Sequence, residues 1–430
     1  MRIVNKPKKA DWDELVRRPA LNTADLSGVV REVIDRVRRD GDRAVKEYEL
    51  KFDKVSLDVL EVSSAEQEEA CAALPDELKQ AIRLAARNIE TFHAAQKTER
   101  RLVETGPGVT CWQKSVPIER VGLYVPGGTA PLFSTVLMLG LPARIAGCRE
   151  TVLCTPPNRE GKVHPAVLFA ARVAGVTRIF KAGGIQAIAA MAYGTESVPR
   201  VYKIFGPGNQ YVTAAKQMVS LRDVAIDMPA GPSEVEVLAD DSANPVFVAA
   251  DLLSQAEHGV DSQAVLVTTS MELARAVEQE VSRQLESLPR RDIAARSLEH
   301  SLILVVNDVD EAVDFTNLYA PEHLIIEAEG CLQLAERITH AGSVFIGNYS
   351  TESAGDYASG TNHTLPTNGY AKAYSGVCLD SFMHKITFQH ITPEGLLHIG
   401  PAIEVMAAGE QLDAHKRAVS LRLQSIRGGS

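Results

Sequence analysis

The spacing of apolar positions along the chain changes near residue 119. Before that point, apolar residues recur at helical spacing, as in the run LSGVVREVIDRVRRDGDRAVKEYELKF. A second helical segment opens with Ser63 and Glu66 at the spacing of a capping box, and Pro75 predicts a break that divides this segment into two helices. The first hundred residues are therefore predicted to be largely helical.

After residue 119, short runs typical of buried strands alternate with helical runs. One series extends from RVGLYVPGG to VAIDMPAGPSE, and a second begins at EVEVLAD and ends at SVFIG. Repeated strand–helix units are typical of parallel sheets whose faces are covered by helices. The pattern therefore predicts an α/β fold with two parallel-sheet domains.

The last part of the chain predicts a short extended piece followed by helices. We expect four regions, which are an N-terminal segment 1–20, a first α/β domain 21–123 plus 234–372, a second α/β domain 124–233, and a C-terminal tail 373–430. A piece of fewer than about 60 residues makes a marginal core by itself. The tail is therefore expected to lean on the body of the protein or on another subunit.

Composition and charge exclude several classes of protein. The 430 residues carry a net charge of −10, which argues against a general nucleic-acid binder with a basic surface. No apolar run suggests a signal peptide or a membrane span. The six cysteines are scattered without a CxxC pair, as in a reducing compartment. We expect a cytoplasmic protein that binds neither nucleic acid nor membrane.

Three glycine-rich turns follow predicted strands, in VPGGTAP, KAGGIQA and FGPGNQY. Glycine lets a backbone approach a ligand, helix N-termini favour phosphates, and ligands of open α/β sheets bind beyond the carboxyl ends of strands. The sequence contains neither a Walker A motif nor a full GxGxxG fingerprint. The turns are compatible with a dinucleotide site, and equally with ordinary tight strand–helix connections.

Four polar residues could form a metal site of nitrogen and oxygen ligands. In DLLSQAEHG, Gln255 and His258 end an apolar helix three residues apart and share its face, while Asp356 lies in a polar loop and His415 on a helix of the tail. Such ligands suit Zn²⁺ or Mn²⁺. The alternatives are a polar helix edge, a turn-forming aspartate and an interior histidine.

Two further features could carry proton-transfer groups. Glu322 and His323 stand at the entry of the strand in YAPEHLII and could supply two groups with different pKa values. His363 lies in the same Gly/Ser/Thr-rich loop as Asp356 and could be a ligand or support one. The alternative for both features is an ordinary polar loop.

Taken together, several long motifs resemble the histidinol dehydrogenase family, over nearly the whole chain and in the family's order. They are DLLSQAEHG, APEHL, ESAGDYASGTNH, FGPGNQYVTAAK, DMPAGPSE and GEQLDAHKRAV. The resemblance implies NAD-dependent oxidation of L-histidinol through L-histidinal to L-histidine, the last two steps of histidine biosynthesis. It also implies incomplete Rossmann-like domains, which accounts for the missing fingerprint.

The resemblance assigns roles to individual residues. It implies one zinc per subunit, with manganese possible, held by Gln255, His258, Asp356 and His415, and completed by the imidazole and amino nitrogens of the substrate. His323 would take the alcohol proton, and Glu322 would activate the water that adds to the aldehyde. Besides the ligands and His323, the implied substrate contacts are Ser233, His363 and Glu410, and the implied NAD contacts are Tyr124, Gln186 and Asn209.

The resemblance further implies a homodimer that exchanges C-terminal tails, so that His415 and Glu410 would reach the neighbour's site. Three other functions stay open at this level. A related zinc and NAD enzyme could oxidise another amino alcohol or diol, a metal-dependent hydrolase could use Glu322 to activate zinc-bound water, and a nucleotide-binding scaffold would need neither Glu322 nor His323 for its function.

Overall fold

The computed structural model of the protein describes residues 1–19, 26–127, 130–228 and 231–428. These residues form two units, the first from 1–96 and 118–382 and the second from 97–117 and 383–430. Within the described ranges, no helix combines the length and the apolar character needed to cross a lipid bilayer.

The elements that follow are numbered in chain order. The strands are β1 (Arg2–Asn5), β2 (Leu102–Gly106), β3 (Val109–Pro117), β4 (Arg120–Tyr124), β5 (Glu150–Thr155), β6 (Arg178–Lys181), β7 (Lys203–Phe205), β8 (Ala225–Ile226), β9 (Glu234–Ala239), β10 (Gln263–Thr268), β11 (Leu302–Val305), β12 (His323–Glu327), β13 (Ser343–Ile346) and β14 (Met383–Ile391). The α-helices are α1 (Trp12–Leu15), α2 (Leu26–Tyr48), α3 (Ser64–Ala73), α4 (Asp76–Ala94), α5 (Phe133–Ala146), α6 (Pro165–Ala174), α7 (Gly184–Tyr193), α8 (Gln210–Ser220), α9 (Pro245–Ala256), α10 (Met271–Leu285), α11 (Arg291–Leu298), α12 (Val309–Tyr319), α13 (Cys331–Ala335), α14 (Glu352–Tyr357), α15 (Pro393–Gly409) and α16 (Asp413–Gly428).

The N-terminal helices follow the sequence signals closely. The Ser63 side chain accepts a hydrogen bond from the Glu66 amide, and the Glu66 carboxylate accepts one from the Ser63 amide, so the predicted capping box is confirmed. Pro75 stands between α3 and α4 as predicted. One feature was not predicted, because α2 continues into a single π-helical turn, Glu49–Asp53, that ends at Lys54 with a left-handed φ of 61°.

The first unit contains two parallel sheets with the same strand order. The six-stranded sheet has the order β1-β11-β10-β9-β12-β13, and the five-stranded sheet has the order β6-β5-β4-β7-β8. Counted from its first βα unit, each sheet follows the order 3-2-1-4-5, which is the Rossmann order without its sixth strand. The predicted fold of two incomplete Rossmann-like sheets is confirmed. In each sheet the topological switch point lies between strands 1 and 4.

Helices cover the two sheets and bury their apolar side chains. Helix α2 packs on α7 and α8, and α4 packs on α5 and α6. Helices α9, α10 and α11 contact one another or the strands of the six-stranded sheet, which explains the near-continuous apolar runs of β10 and β11. The extra strand β1 pairs with β11, an element that the sequence pattern did not predict. The residue limits proposed for the domains stay predictions.

The second unit joins distant parts of the chain. Strand β14 pairs antiparallel with β3 along nine residues, and β3 pairs antiparallel with β2, so the three form one small sheet. Helices α15 and α16 follow β14 and pack on each other. The extended piece and helices predicted for the tail are therefore present, and the tail acquires its sheet partners from 102–117.

Candidate active site

The paired polar residues Glu322 and His323 lie at the switch point of the six-stranded sheet, at the amino ends of its strands. His323 is the first residue of β12 and is in register with Val235 of β9, whose preceding residues are Ser233 and Glu234. Strands β9 and β12 are parallel neighbours, so residues at their amino ends lie side by side at this edge of the sheet. Both members of the pair are buried.

The His323 ring has one nitrogen engaged and one without a partner. Its Nδ1 lies 3.2 Å from the carbonyl oxygen of Glu234, an arrangement that requires Nδ1 to carry the proton and donate. Its Nε2 is buried without a hydrogen-bond partner, 3.9 Å from an oxygen of Asp356. Burial lowers the pKa of His323 to about 4, so the ring is neutral. Such a ring offers Nε2 as a proton acceptor.

Glu322 is held by the same stretch of β9. Its Oε2 accepts a hydrogen bond of 2.9 Å from the Glu234 amide and lies 3.7 Å from Nδ1 of His323. Burial raises the pKa of Glu322 well above its usual range, and the nearby charges of Glu234 and Asp356 act in the same direction. The carboxylate is therefore a stronger base than an exposed glutamate.

Two short segments bring candidate metal ligands together. Gln255 lies in the last turn of α9, and His258 follows two residues after that helix ends. Helix α14 carries Glu352 and Asp356 on one face. One ligand atom each from His258, Glu352 and Asp356 lie within 4.8 Å of one another. An imidazole with two carboxylates is a donor set that suits Zn²⁺ or Mn²⁺.

The buried Gln255 amide adjoins this cluster. It lies against the Glu352 carboxylate, where its nitrogen can donate to the carboxylate oxygens once the amide is turned with the nitrogen toward them. Burial raises the pKa of Glu352 well above its usual range, and the charges of Asp356, Glu322 and Asp251 add to the effect. A bound cation would relieve this repulsion, so the residues present fit a metal.

Glu352 lies in the motif ESAGDYASGTNH but is not among the ligands predicted from the sequence. The available signal was the spacing of four residues between Glu352 and Asp356, which places both carboxylates on one face if ESAGDY is helical. A prediction of an irregular polar loop gives no reason to pair the two carboxylates, so the sequence singles out Asp356 and His363 there but not Glu352.

His363 links the polar loop to the second parallel sheet. Its Nδ1 lies 3.0 Å from the carbonyl oxygen of Asp356, and its Nε2 lies 3.1 Å from the hydroxyl of Thr135 in the first turn of α5. Burial lowers the pKa of His363, so the ring is held neutral between these partners. Thr135 had no distinguishing signal in the sequence.

A buried ion pair supports the backbone that holds Glu322 and His323. The Arg18 guanidinium donates to both oxygens of Glu234, at 3.0 and 2.9 Å, and to the carbonyl oxygen of Tyr319 at 2.6 Å. It also lies 3.8 Å from the centre of the Tyr319 ring. Ser233, the neighbour of Glu234, is half-buried at the start of β9.

The three residues expected to contact NAD lie at the carboxyl ends of the five-stranded sheet. Tyr124 ends β4 and its hydroxyl accepts a hydrogen bond from Gly184, while Asn209 caps α8 through bonds to two amides. Gln186, in the first turn of α7, donates to Glu49 at 2.8 Å. Its amide oxygen is buried without a partner. This orphaned acceptor fits a ligand that brings a donor.

Close packing of protein atoms at the same edge leaves room only for glycine at two positions. Gly206 has a φ of 126°, and a Cβ there would lie 2.0 Å from the carbonyl oxygen of Tyr124, so only glycine fits at this switch point. A Cβ at Gly127 would lie 2.6 Å from Pro156. The neighbouring Gly128 and Thr129, together with Pro229 and Ala230 of DMPAGPSE, lie outside the described residues.

Two predicted site residues belong to the second unit. His415 is on α16, and Glu410 directly follows α15, and both are exposed there. Their roles as ligand and substrate contact stay predictions.

A buried group of carboxylates and imidazoles at one parallel sheet, and an open glycine-rich edge at another, define an α/β enzyme. A family model described as histidinol dehydrogenase matches residues 16–423. The chain is 69% identical over 427 residues to the histidinol dehydrogenase of Bacteroides thetaiotaomicron, covering 99% of this chain and 100% of that one. It is 52% identical to that of Pectobacterium atrosepticum, covering 96% and 93%.

A solved structure agrees with these relatives. The histidinol dehydrogenase of Elizabethkingia anophelis superposes with a TM-score of 0.97 at 54% identity, covering 99% of each chain. The chain therefore belongs to the histidinol dehydrogenase family. The resemblance found in the sequence is confirmed, and the protein is an oxidoreductase.

Proposed function

We propose that the protein oxidises L-histidinol to L-histidinal and then to L-histidine, with two NAD⁺ as hydride acceptors and one bound zinc. The observation that carries the proposal is the buried His323 ring, whose only free nitrogen faces Asp356 of the candidate metal cluster. Membership of the family supplies the substrate class. The reaction belongs to histidine biosynthesis, and we expect it to take place in the cytoplasm, without nucleic-acid or membrane partners.

Gln255, His258 and Asp356 would hold the metal together with His415. Bound zinc, or manganese, would supply positive charge that holds the imidazole and amino nitrogens of histidinol. A glutamine oxygen as ligand would add no negative charge to a cluster that already contains buried carboxylates. Ser233, His363 and Glu410 would contact the substrate, and the bond from Thr135 would keep the His363 ring in place.

His323 would act in the first oxidation. With Nδ1–H donated to the Glu234 carbonyl, the lone pair on Nε2 can accept the proton of the substrate hydroxyl as hydride leaves the same carbon. The neutral state of the ring at pH 7 suits this role, since a protonated imidazole could not accept.

Glu322 would act in the second oxidation. It would take a proton from water as the water oxygen adds to the aldehyde carbon, and the hydrated aldehyde would then lose hydride. The Glu234 amide bond to Oε2 fixes the carboxylate while its other oxygen accepts the proton. The two bases sit side by side, so the aldehyde can react without leaving the site, which protects a reactive intermediate.

NAD would bind at the carboxyl edge of the five-stranded sheet, where Tyr124, Gln186 and Asn209 lie. The unpartnered oxygen of Gln186 supports this assignment, since a buried acceptor without a donor is costly.

The stoichiometry of the reaction tests the proposed function. Complete oxidation should give about two NADH per histidinol consumed, because each oxidation transfers one hydride. Absorbance at the NADH band combined with chromatography of histidine measures the ratio. One NADH per histidinol would limit the protein to alcohol oxidation, and product formation without NAD⁺ would favour a hydrolase.

We further propose a homodimer in which the tails are exchanged, so that His415 and Glu410 serve the partner's site. Mixing two inactive variants tests this. His415→Ala removes a ligand from the tail and His258→Ala removes one from the body, so each homodimer lacks a ligand at both sites. After random exchange, half of the dimers would be mixed with one intact site of two, which predicts about a quarter of wild-type activity. Inactive mixed dimers, verified by native mass spectrometry of tagged chains, would contradict the exchange.

A further inference from the structure

The five-stranded sheet lacks an acidic residue where a dinucleotide-binding sheet usually carries one. In sheets of this order, an aspartate or glutamate at the end of the second strand bonds the adenosine ribose of NAD and disfavours a 2′-phosphate. Here the second strand, β5, ends at Thr155 and is followed by Pro156 and Pro157. The next side chain with an oxygen, Asn158, caps its own turn through the amides of Glu160 and Lys162.

The π-helical turn after α2 brings two carboxylates to this edge from another part of the chain. Glu49 is fully buried, and its Oε1 accepts hydrogen bonds of 2.8 Å from the Gly183 amide and from Gln186. Asp53 is half-buried, and its Oδ2 lies 3.5 Å from the point that a Cβ would occupy if residue 183 were not glycine. The same Cβ position is 2.8 Å from Pro156, so Asp53 lies beside the meeting point of the second and third strand ends.

Both carboxylates belong to this π-helical turn. Glu49 and Asp53 are its first and last residues, and the Lys54 amide donates to the carbonyl oxygen of Glu49 five residues earlier, the hydrogen bond that defines a π-turn. Lys54 then leaves the helix in the left-handed region, which ends the turn directly after Asp53. Single π-turns of this kind are frequent at functional sites.

The charge at this edge is negative, and nearby cations are engaged elsewhere. Lys54 donates to the carbonyl oxygen of Lys51, and the Lys51 ammonium lies 5.2 Å from the ring centre of Phe52. Lys181, at the end of the third strand, bonds Glu66. The other titratable groups close to the pair, Tyr124 and Cys154, are buried, and burial raises the pKa of each, so both are uncharged.

We propose that Asp53, braced by Glu49, faces the adenosine ribose of NAD and excludes the 2′-phosphate of NADP. The inference rests on the proposed function, in which NAD binds at this edge. Asp53 is the specificity-determining residue, since it is partly accessible. Glu49 is a positioning residue, because it fixes the Gly183 amide and sets which way the Gln186 amide points. Burial raises the pKa of both carboxylates, as expected for acids crowded into one turn.

The test measures binding of two probes by calorimetry, ADP-ribose and 2′-phospho-ADP-ribose, to the full chain, and it does not depend on turnover. Wild type should prefer ADP-ribose. Asp53→Asn should reduce that preference by about tenfold or more, since it removes a like charge facing the phosphate. Asp53→Ala gives a second measure should the first variant be unstable. Glu47→Gln is the matched control, because Glu47 is an exposed carboxylate on the same helix that pairs with Arg36.

A second pair of variants separates positioning from bulk packing. Glu49→Gln keeps an oxygen acceptor for Gly183 and Gln186 and should bind ADP-ribose within about threefold of wild type, whereas Glu49→Leu has no acceptor and should weaken it about tenfold or more. Equal binding by both Glu49 variants, or a probe preference unchanged in the Asp53 variants, would overturn the inference. If wild type still makes NADH from histidinol, the proposed function survives that failure. If wild type binds no ADP-ribose and also forms no NADH from histidinol, both the inference and the proposed function fail.

Discussion

Replacement of Glu322 by glutamine should slow the oxidation of histidinal by roughly 10²–10⁴-fold, the usual worth of a positioned base, while histidinol oxidation changes little. The amide is isosteric and its oxygen can still accept from the Glu234 amide, so the backbone arrangement is preserved. It cannot take a proton from water, and only the second oxidation requires water. His323 remains available for the hydroxyl proton of the first.

Single-turnover experiments that start separately from histidinol and from histidinal would resolve the two half-reactions through the appearance of NADH. Glu329→Gln provides the matched control, because Glu329 is an exposed carboxylate beyond the opposite end of β12. Equal losses in both half-reactions would contradict the assignment of Glu322 and would indicate that the substitution disturbs the whole site.

Replacement of Arg18 by methionine should lower the free energy of unfolding by about 3–5 kcal/mol, as expected when one partner of a buried ion pair is removed. Glu234 is buried, and Arg18 supplies both of its charged hydrogen bonds. Methionine keeps most of the aliphatic volume, so the loss reports the stranded charge. Urea unfolding monitored by circular dichroism measures the difference.

Two further variants make this second experiment specific. Arg17→Met changes an exposed arginine one residue earlier and should have little effect. Arg18→Met combined with Glu234→Gln should recover part of the lost stability, since no buried charge is left unpaired. The single variant Glu234→Gln completes the comparison. If the loss of unfolding free energy in the double variant equals the sum of the losses in the two single variants, the two side chains are not coupled as the structure indicates.

The fold was predictable because its signals are local. Short apolar runs alternating with helical runs specify parallel strands and covering helices, and Ser63 with Glu66 marks a helix start within four residues. The pairing of β3 with β14 was not predictable in the same way. These strands are separated by more than 250 residues, about the length of two domains, and neither carries a pattern that identifies the other.

The candidate site was predictable only in part for a related reason. Gln255 and His258 share one helix end, so their spacing was informative. The contacts of Glu49 with Gly183 and of Thr135 with His363 join residues more than a hundred positions apart, and no periodicity relates them. Glu352 is an intermediate case. Its partner Asp356 is only four residues away, but the helix that aligns the two is 6 residues long, less than two turns, and too short to show a periodic pattern.

The ion pair of Arg18 has a practical consequence for cloning. A shortened gene that begins at the first long helix, α2, would retain every proposed base and metal ligand and the glycine-rich edge of the five-stranded sheet. It would lack strand β1 at the sheet margin and the cation that neutralises Glu234 behind Glu322 and His323. Such a truncated product is expected to be unstable and inactive, and adding the missing N-terminal peptide in trans is the rescue to attempt first.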